Sequence, residues 1–567
     1  MADSLSIGSL SLSGGASRLT GASSQLDTEA IVAAAYAAKR QPAVRLEQRI
    51  SRNDARVAAL GELRTLLGAV QDAVAGLRNP PGLLGAGENV FERKQAFLTG
   101  GGGLAPAELV GLSLENTAAA GNFTLEVLRL ATAHKLAAQP LGAPGQTLAD
   151  TWNGGTPFAG TLELGLAGGT SASIAVSGSM NAQDLRAAIN AASAQTGIVA
   201  NVITVSAGEQ RLVLTAQETG KAIELADAGG ETGGGTVAAG DIQAAQTARI
   251  LVDGVAVERA GNRIADVMAG VTMDLYRAEP GAVVGVQVEP SLAAAKEQIT
   301  AFVAAFNGLR DFVAAQGSVG SGGELAAGAV LFGDGTLRAI AQTLAAMVGG
   351  ATPGLDAGRL GTLRDVGITL DAGGRLQIDD ATLDARLLTR LDEVRGLFEF
   401  TATVASGDLG VYARSNALAD LDFTVAISDP DDDGVPDAVA IDGIPAEFAG
   451  GMIRGVAGTP YEGLKLIWTG SGDASIEVGV SQGVADRLYN AIGQSLDLFD
   501  GPVQQAIDRL GETSTSYTRQ IERIEERATR ARERMIERLA AMEAALGLAN
   551  TMLSQLRAQM DAMSGTN

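Results

Sequence analysis

The chain has 567 residues, enough for several domains, and sets 42 Lys and Arg against 65 Asp and Glu, for a formal net charge of −23. That acidic balance speaks against backbone binding to nucleic acid or insertion into anionic membranes, since both need clustered cations. Cysteine is absent, which excludes disulfides, thiolate metal sites and a cysteine nucleophile.

A histidine metal cluster is out of reach as well, because His134 is the only histidine. The sequence around it, Ala131 to Leu136, places it on an exposed face. The glycine clusters at 100–103, 229–235 and 317–323 lack the Lys-Ser/Thr of a phosphate cradle and read as loops. There is no G-x-S-x-G elbow either, so the sequence points to no enzyme.

In chain order, residues 1–28 are rich in Ser, Gly and Leu, with Asp3 where a signal peptide would carry its positive charge. The apolar run at 30–38 is far shorter than the ~20 residues that span a bilayer. No membrane insertion is expected, and a secreted destination would need an uncleaved export route.

A helical stripe follows: Leu46, Ile50, Val57, Leu60, Leu63, Leu67, Val70, Val74 and Leu77 recur in steps of three, four or seven, with Asn53 in the one polar slot. Pro80 and Pro81 end it. Beyond them the period changes to two. Residues 107–115 and 121–130 read as strands joined by a turn, and 140–245 as an inserted β-rich domain with one helix at 181–193, capped by Ser179 or Asn181. Residues 249–257 and 270–276 read as longer strands separated by 262–268. Helical periodicity returns at 292–315, with Ile299, Phe302, Val303 and Phe306 on one face.

Residues 412–480 are again strand-like and contain Asp429-Pro430-Asp431-Asp432-Asp433-Gly434-Val435-Pro436-Asp437. The D-x-D-x-D-G-x-x-D spacing turns alternate carboxylates toward one centre. Asp429, Asp431, Asp433 and Asp437, with the Val435 carbonyl, could ligate calcium. Ala440 stands where an EF-hand has its bidentate Glu, and the flanking alternation of Phe423, Val425, Ile427, Val439 and Ile441 places the segment at a β-hairpin tip. An acidic solvated turn is the competing reading, because Asp and Gly are also turn residues.

Residues 484–510 read as helix leading into the strongest signal in the chain. From Ile521 through Ala528, Met535, Leu539, Met542, Leu546, Leu553 and Leu556 to Met563, apolar residues return every three or four positions without a charge among them. Such a stripe is the seam of a coiled coil. The four-residue steps on both sides of Met535 relax the left-handed supercoil locally. Arginines at 519–538 alternate with glutamates, Glu526 and Arg530 at the favourable spacing, as on a solvated helix face. Two seams at opposite chain ends predict one antiparallel stalk.

Several motifs together resemble the bacterial flagellar filament-capping protein family, flagellar hook-associated protein 2. The opening Gly21-Ala22-Ser23-Ser24-Gln25-Leu26-Asp27-Thr28, with Ile31, Val32 and Pro42, is similar to the family's Gly-Leu-x-Ser-Gly-Leu-Asp-Thr, although Ala22 and Gln25 replace its Leu and Gly. Asn122 to Val127, Val252-Asp253-Gly254-Val255, Gly270 to Leu275, Gly367 to Asp371, Tyr461 to Leu464 and Val480 to Gly483 follow in the family's order.

The resemblance implies an α+β multidomain fold: paired terminal coiled-coil helices as a leg, a helical-bundle domain, and inserted β-rich head domains. The implied partition is a leg of 1–45 plus 519–567, a stem of 46–80 plus 291–404 plus 481–518, a head base of 81–139 plus 246–290, and insertions at 140–245 and 405–480. It further implies a homo-oligomeric ring at the filament tip, with Leu26, Asp27, Ile31, Leu539, Met542, Leu546, Leu553 and Leu556 in the assembly interface. The implied partners are flagellin, hook-filament junction proteins and an export chaperone, and the implied location is extracellular without signal cleavage. Another axial or junction protein, and a surface adhesin role for the heads, are the competing functions.

Overall fold

The computed structural model describes residues 9–13, 16–20, 27–79, 89–227, 239–318, 322, 324–326, 328–355, 358–414 and 422–564. The chain divides into two compact units, Met1–Arg78 with Ile299–Asn567, and Asn79–Gln298.

The first unit is organised by two long helices, Thr28–Ala75 and Pro502–Ser564, packed side by side. Asp27 starts the N-terminal helix well before the stripe does, its carboxylate accepting from the Ala30 amide at 2.9 Å. Polar contacts along the seam run antiparallel: Arg40 donates to Glu525 at 3.1 Å, Asn53 to Ser514 at 3.2 Å and Arg64 to Gln504 at 3.3 Å. Asn53 thereby finds the partner that its place in an apolar stripe demands. Leu60, Leu63, Leu67, Val70, Val74 and Leu77 are fully buried, whereas Leu46, Ile50 and Val57 are half-buried. The reason is a third helix, Val484–Leu496, which packs on the C-terminal half of Thr28–Ala75 where Gln71 donates to the Tyr489 carbonyl.

Both long helices cross the positions expected to separate leg from stem, so 1–45 and 46–80 share one unbroken element. Conversely, the helical reading of 484–510 is interrupted. Val484–Leu496 ends, Asp497 accepts from the Phe499 and Asp500 amides, and a new helix begins with Pro502. Proline suits that first turn because the amide it lacks has no intrahelical partner there.

The first unit also holds an eight-stranded antiparallel sheet in the order Phe400–Val404, Ala474–Gln482, Asp422–Ser428, Ala438–Ile441, Ile444–Ala449, Met452–Arg454, Lys465–Trp468, Leu409–Ala413. It begins before and ends after the 405–480 expected for this domain. Alternating residues such as Phe423, Val425, Ile427, Val439 and Ile441 enter one core with Tyr461 and Trp468, as period two requires. Gly455 lies in the loop that seats Tyr461, and a Cβ there would collide with the Tyr461 carbonyl oxygen. Gly455→Ala is therefore expected to destabilise the sheet by ~1–3 kcal/mol, read as a lowered melting temperature; an unchanged one would mean the loop is free to shift.

Sheet and helices are joined through Asp486, on Val484–Leu496. Arg414, just past the edge strand, donates through Nε to Asp486 Oδ2 at 2.8 Å and lies over the Phe400 ring at 3.9 Å. Arg78, at the end of the long helix, approaches Asp486 Oδ1 at 3.7 Å and stacks on Tyr489 at 3.6 Å. All three charges are nearly sealed from water, with side-chain exposures of 8% for Arg414, 12% for Arg78 and 2% for Asp486.

The second unit has two cores. One lies between a five-stranded sheet (Val255–Arg259, Ala248–Val252, Gly121–Arg129, Val283–Pro290, Lys94–Gly100) and a three-stranded one (Arg263–Met268, Val271–Leu275, Val110–Leu114). The other fills the inserted β-rich part with its helix Ala182–Ala191, capped by Asn181.

Three expectations are corrected here. Residues 249–257 are two strands, folded at Asp253 (φ 49°) and Gly254 (φ 78°) into a two-residue hairpin turn. Residues 107–115 begin as a helical turn, Pro106–Leu109, before Val110–Leu114 becomes strand. His134 is buried, not exposed: its Nδ1 accepts from the Ile223 amide at 2.7 Å and its Nε2 faces Asp241 at 3.2 Å. It belongs to Ala133–Pro140, where it shares the inward face with Leu136 and Ala138. That strand pairs in the sheet of the inserted part, which therefore starts before residue 140.

Candidate assembly interface and acidic loop

The seam contacts fix a register. Arg49 lies 5.9 Å from the Tyr517 ring centroid and Arg532 5.8 Å from that of Tyr36, continuing the pairs already described. Followed to its end, this pairing sets Thr28 opposite roughly Leu539. From there the C-terminal helix runs on without the N-terminal helix beside it, over ~37 Å at 1.5 Å per residue. The strand Ala16–Thr20 touches the C-terminal helix, but the stripe stays open: Met542 is 36% exposed, Leu546 37%, Leu553 53% and Leu556 55%. Ala528 and Ile536, inside the paired length, are buried.

Of the residues expected in an interface, the structure thus brings Met542, Leu546, Leu553 and Leu556 together on one open face. Leu539 is half-buried where the pairing stops. Ile31 is exposed, whereas Asp27 serves as the helix cap. Leu26 lies outside the described residues. Arg530 pairs with Glu526 at 3.1 Å with both side chains well exposed, the solvated helix face that its sequence spacing indicates.

The acidic segment is the loop between Asp422–Ser428 and Ala438–Ile441, two paired strands. The Asp437 amide closes the hairpin, donating to the Ser428 carbonyl at 2.8 Å. Asp429, Asp431 and Asp433 each point one carboxylate oxygen into a common space, with these atoms within 4.8 Å of one another; among the described residues Asp437 does not join them.

Asp429 is fully buried. Its amide donates to Asp473 at 2.8 Å, and its Oδ2 accepts from the amides of Gly434 at 3.0 Å and Gly472 at 2.9 Å. The Gly472 amide, then that of Gly434, hold this carboxyl below the usual range. Among the described residues its buried Oδ1 has no hydrogen-bond partner. Asp431 is pushed the other way, first by the charge of Asp433 and then by Asp429. Positive φ at Asp432 (57°) and Gly434 (79°) bends the chain so that the alternate carboxylates converge.

Residues 245–551 match the family model described as flagellar hook-associated protein 2 C-terminus, residues 24–134 that of its N-terminus, and residues 161–218 a flagellin hook IN motif. The B-type flagellar hook-associated protein 2 of Pseudomonas aeruginosa is 28% identical over 386 residues, 63% of this chain and 74% of that one. The flagellar hook-associated protein 2 of Salmonella typhimurium is 30% identical over 221 residues, 36% and 46% respectively. Among solved structures, the D1-D2-D3 domains of the Escherichia coli flagellar cap protein superpose with a TM-score of 0.49 at 20% identity, covering 80% of this chain and 99% of that one. The C-terminal match alone takes in more than half of the residues, and the chain belongs to the flagellar hook-associated protein 2 family of filament-capping proteins.

Proposed function

We propose that this chain works as a homo-oligomeric ring at the distal end of the bacterial flagellar filament, where it retains exported flagellin and promotes its ordered polymerisation. The observation that carries this reading is the open stripe of Met542, Leu546, Leu553 and Leu556. A helix that exposes a continuous apolar seam needs a partner helix, and neighbouring copies or the terminal helices of filament subunits supply one.

The work is done without bond chemistry. Disordered ends of an incoming subunit gain enough contacts to offset their ordering entropy only where partner helices are already placed. A closed ring keeps that subunit from diffusing away. Flagellin, the hook-filament junction proteins and an export chaperone are the partners this role calls for, and the chain acts outside the cell after export without signal cleavage. Among the described residues no helix is long and apolar enough to cross a membrane.

Electron microscopy of the purified full-length protein tests the ring. Closed rings with protruding legs are expected at concentrations where the seam is paired. Monomers alone across all concentrations would overturn self-assembly as the basis of the role.

A further inference from the structure

We propose that Asp429, Asp431 and Asp433 hold a calcium ion, with the buried Oδ1 of Asp429 as its inner ligand. This site lies on the eight-stranded sheet and stands independently of the capping role. A carboxylate oxygen removed from water without a donor is costly, and every other polar group of Asp429 is matched: the amide by Asp473, Oδ2 by two glycine amides. A cation in the space shared with Asp431 and Asp433 supplies the missing partner and cancels the repulsion among three converging carboxylates.

The donor chemistry selects the ion. All three side chains offer oxygen, with no histidine or cysteine in the group, which favours a hard cation over zinc or copper. Oxygens on opposite sides of calcium stand ~5 Å apart, while those around magnesium stand ~4 Å apart in a rigid octahedron. Three carboxylates on a loop with open sides suit the larger and more adaptable calcium shell, with water completing it, better than the rigid octahedron of magnesium.

Asp429 also links two loops, because its Oδ2 accepts from Gly472 and its amide donates to Asp473 in the connection before Ala474–Gln482. An ion at Asp429 therefore clasps the hairpin tip to the neighbouring strand connection. Weak occupancy is enough for this at extracellular calcium, where sites with dissociation constants of ~10⁻⁴–10⁻³ M fill.

The test is calorimetric titration of chelator-treated full-length protein with calcium chloride at physiological ionic strength, with thermal melting in parallel. The expected result is one saturating site per chain and a calcium-dependent rise in melting temperature. D431N/D433N should lose both while keeping its circular dichroism, since both side chains are exposed. D431N alone should weaken binding several-fold. No saturable heat up to about 10 mM, well above the range of weak extracellular sites, would overturn the proposal. Equal heat in D431N/D433N would also overturn it, because binding would then belong to the acidic surface at large. Equal affinity for magnesium chloride would overturn the choice of calcium.

Discussion

Leu553→Glu is expected to abolish filament capping while leaving the melting temperature of the isolated chain unchanged. The two outcomes separate because Leu553 is 53% exposed in the single chain, so a carboxylate there meets water and disturbs no core. Surface changes of this kind usually stay within ~0.5 kcal/mol. Once the seam is covered by another helix, the same carboxylate loses its water without gaining a partner, at a cost of roughly several kcal/mol per copy. A ring multiplies that cost by its number of copies. Leu548→Glu is the control. Leu548 is 63% exposed but lies off the stripe, so its variant should swim normally. Normal motility of cells carrying Leu553→Glu would mean that the stripe is not an assembly surface.

The second large effect is expected at Asp486. Asp486→Ala leaves Arg414 and Arg78 facing one another almost out of water, and breaking a buried ion pair by removing one partner costs ~3–5 kcal/mol. Both arginines keep a ring to lie on, Phe400 and Tyr489 respectively, so the loss comes from the missing carboxylate and not from lost packing. Because Asp486 ties the sheet to the helices, the effect should be local. Native-state hydrogen exchange should accelerate in Val484–Leu496 and along Phe400–Val404, and much less in the inserted β-rich part of the second unit. Asp486→Asn should cost less, since its amide oxygen still accepts from Arg414. Unaltered exchange in Asp486→Ala would show that the arginines find other anions.

Periodicity made the two long helices legible, because a stripe at steps of three and four survives any tertiary context. What it could not show is where the stripe is covered. That depends on the register, which the seam contacts set, and on Asp27, which starts the N-terminal helix at Thr28, opposite roughly Leu539 and short of the end of its partner. Likewise the third helix that deepens burial from Leu60 to Leu77 comes from residues far along the chain. Local turn chemistry was present at Asp253-Gly254, yet the apolar residues on both sides read as one strand. His134 sits on an alternating strand with Leu136 and Ala138, a pattern of period two that indicates burial once the neighbouring Lys135 is placed outside.

The acidic loop was legible in part for the same kind of reason. Alternation along the chain set Asp429, Asp431 and Asp433 toward one side, but Asp437 had its position fixed by the hairpin, whose ladder needs its amide opposite Ser428. The burial of Asp429 rests on Gly472 and Asp473, which no local pattern joins to it. Asp486 and Arg414 carried no signal either, since single charges in amphipathic segments look like any solvated pair until the fold encloses them.

The central claim is that this chain keeps exported flagellin at the filament tip. It is tested most directly by removing the chain from the cells it comes from and measuring soluble flagellin in the medium together with filament length. Soluble monomers and absent filaments, both reversed when the chain is supplied again and not when the Leu553→Glu variant is supplied, are the expected result. Filaments of normal length in its absence would contradict the account.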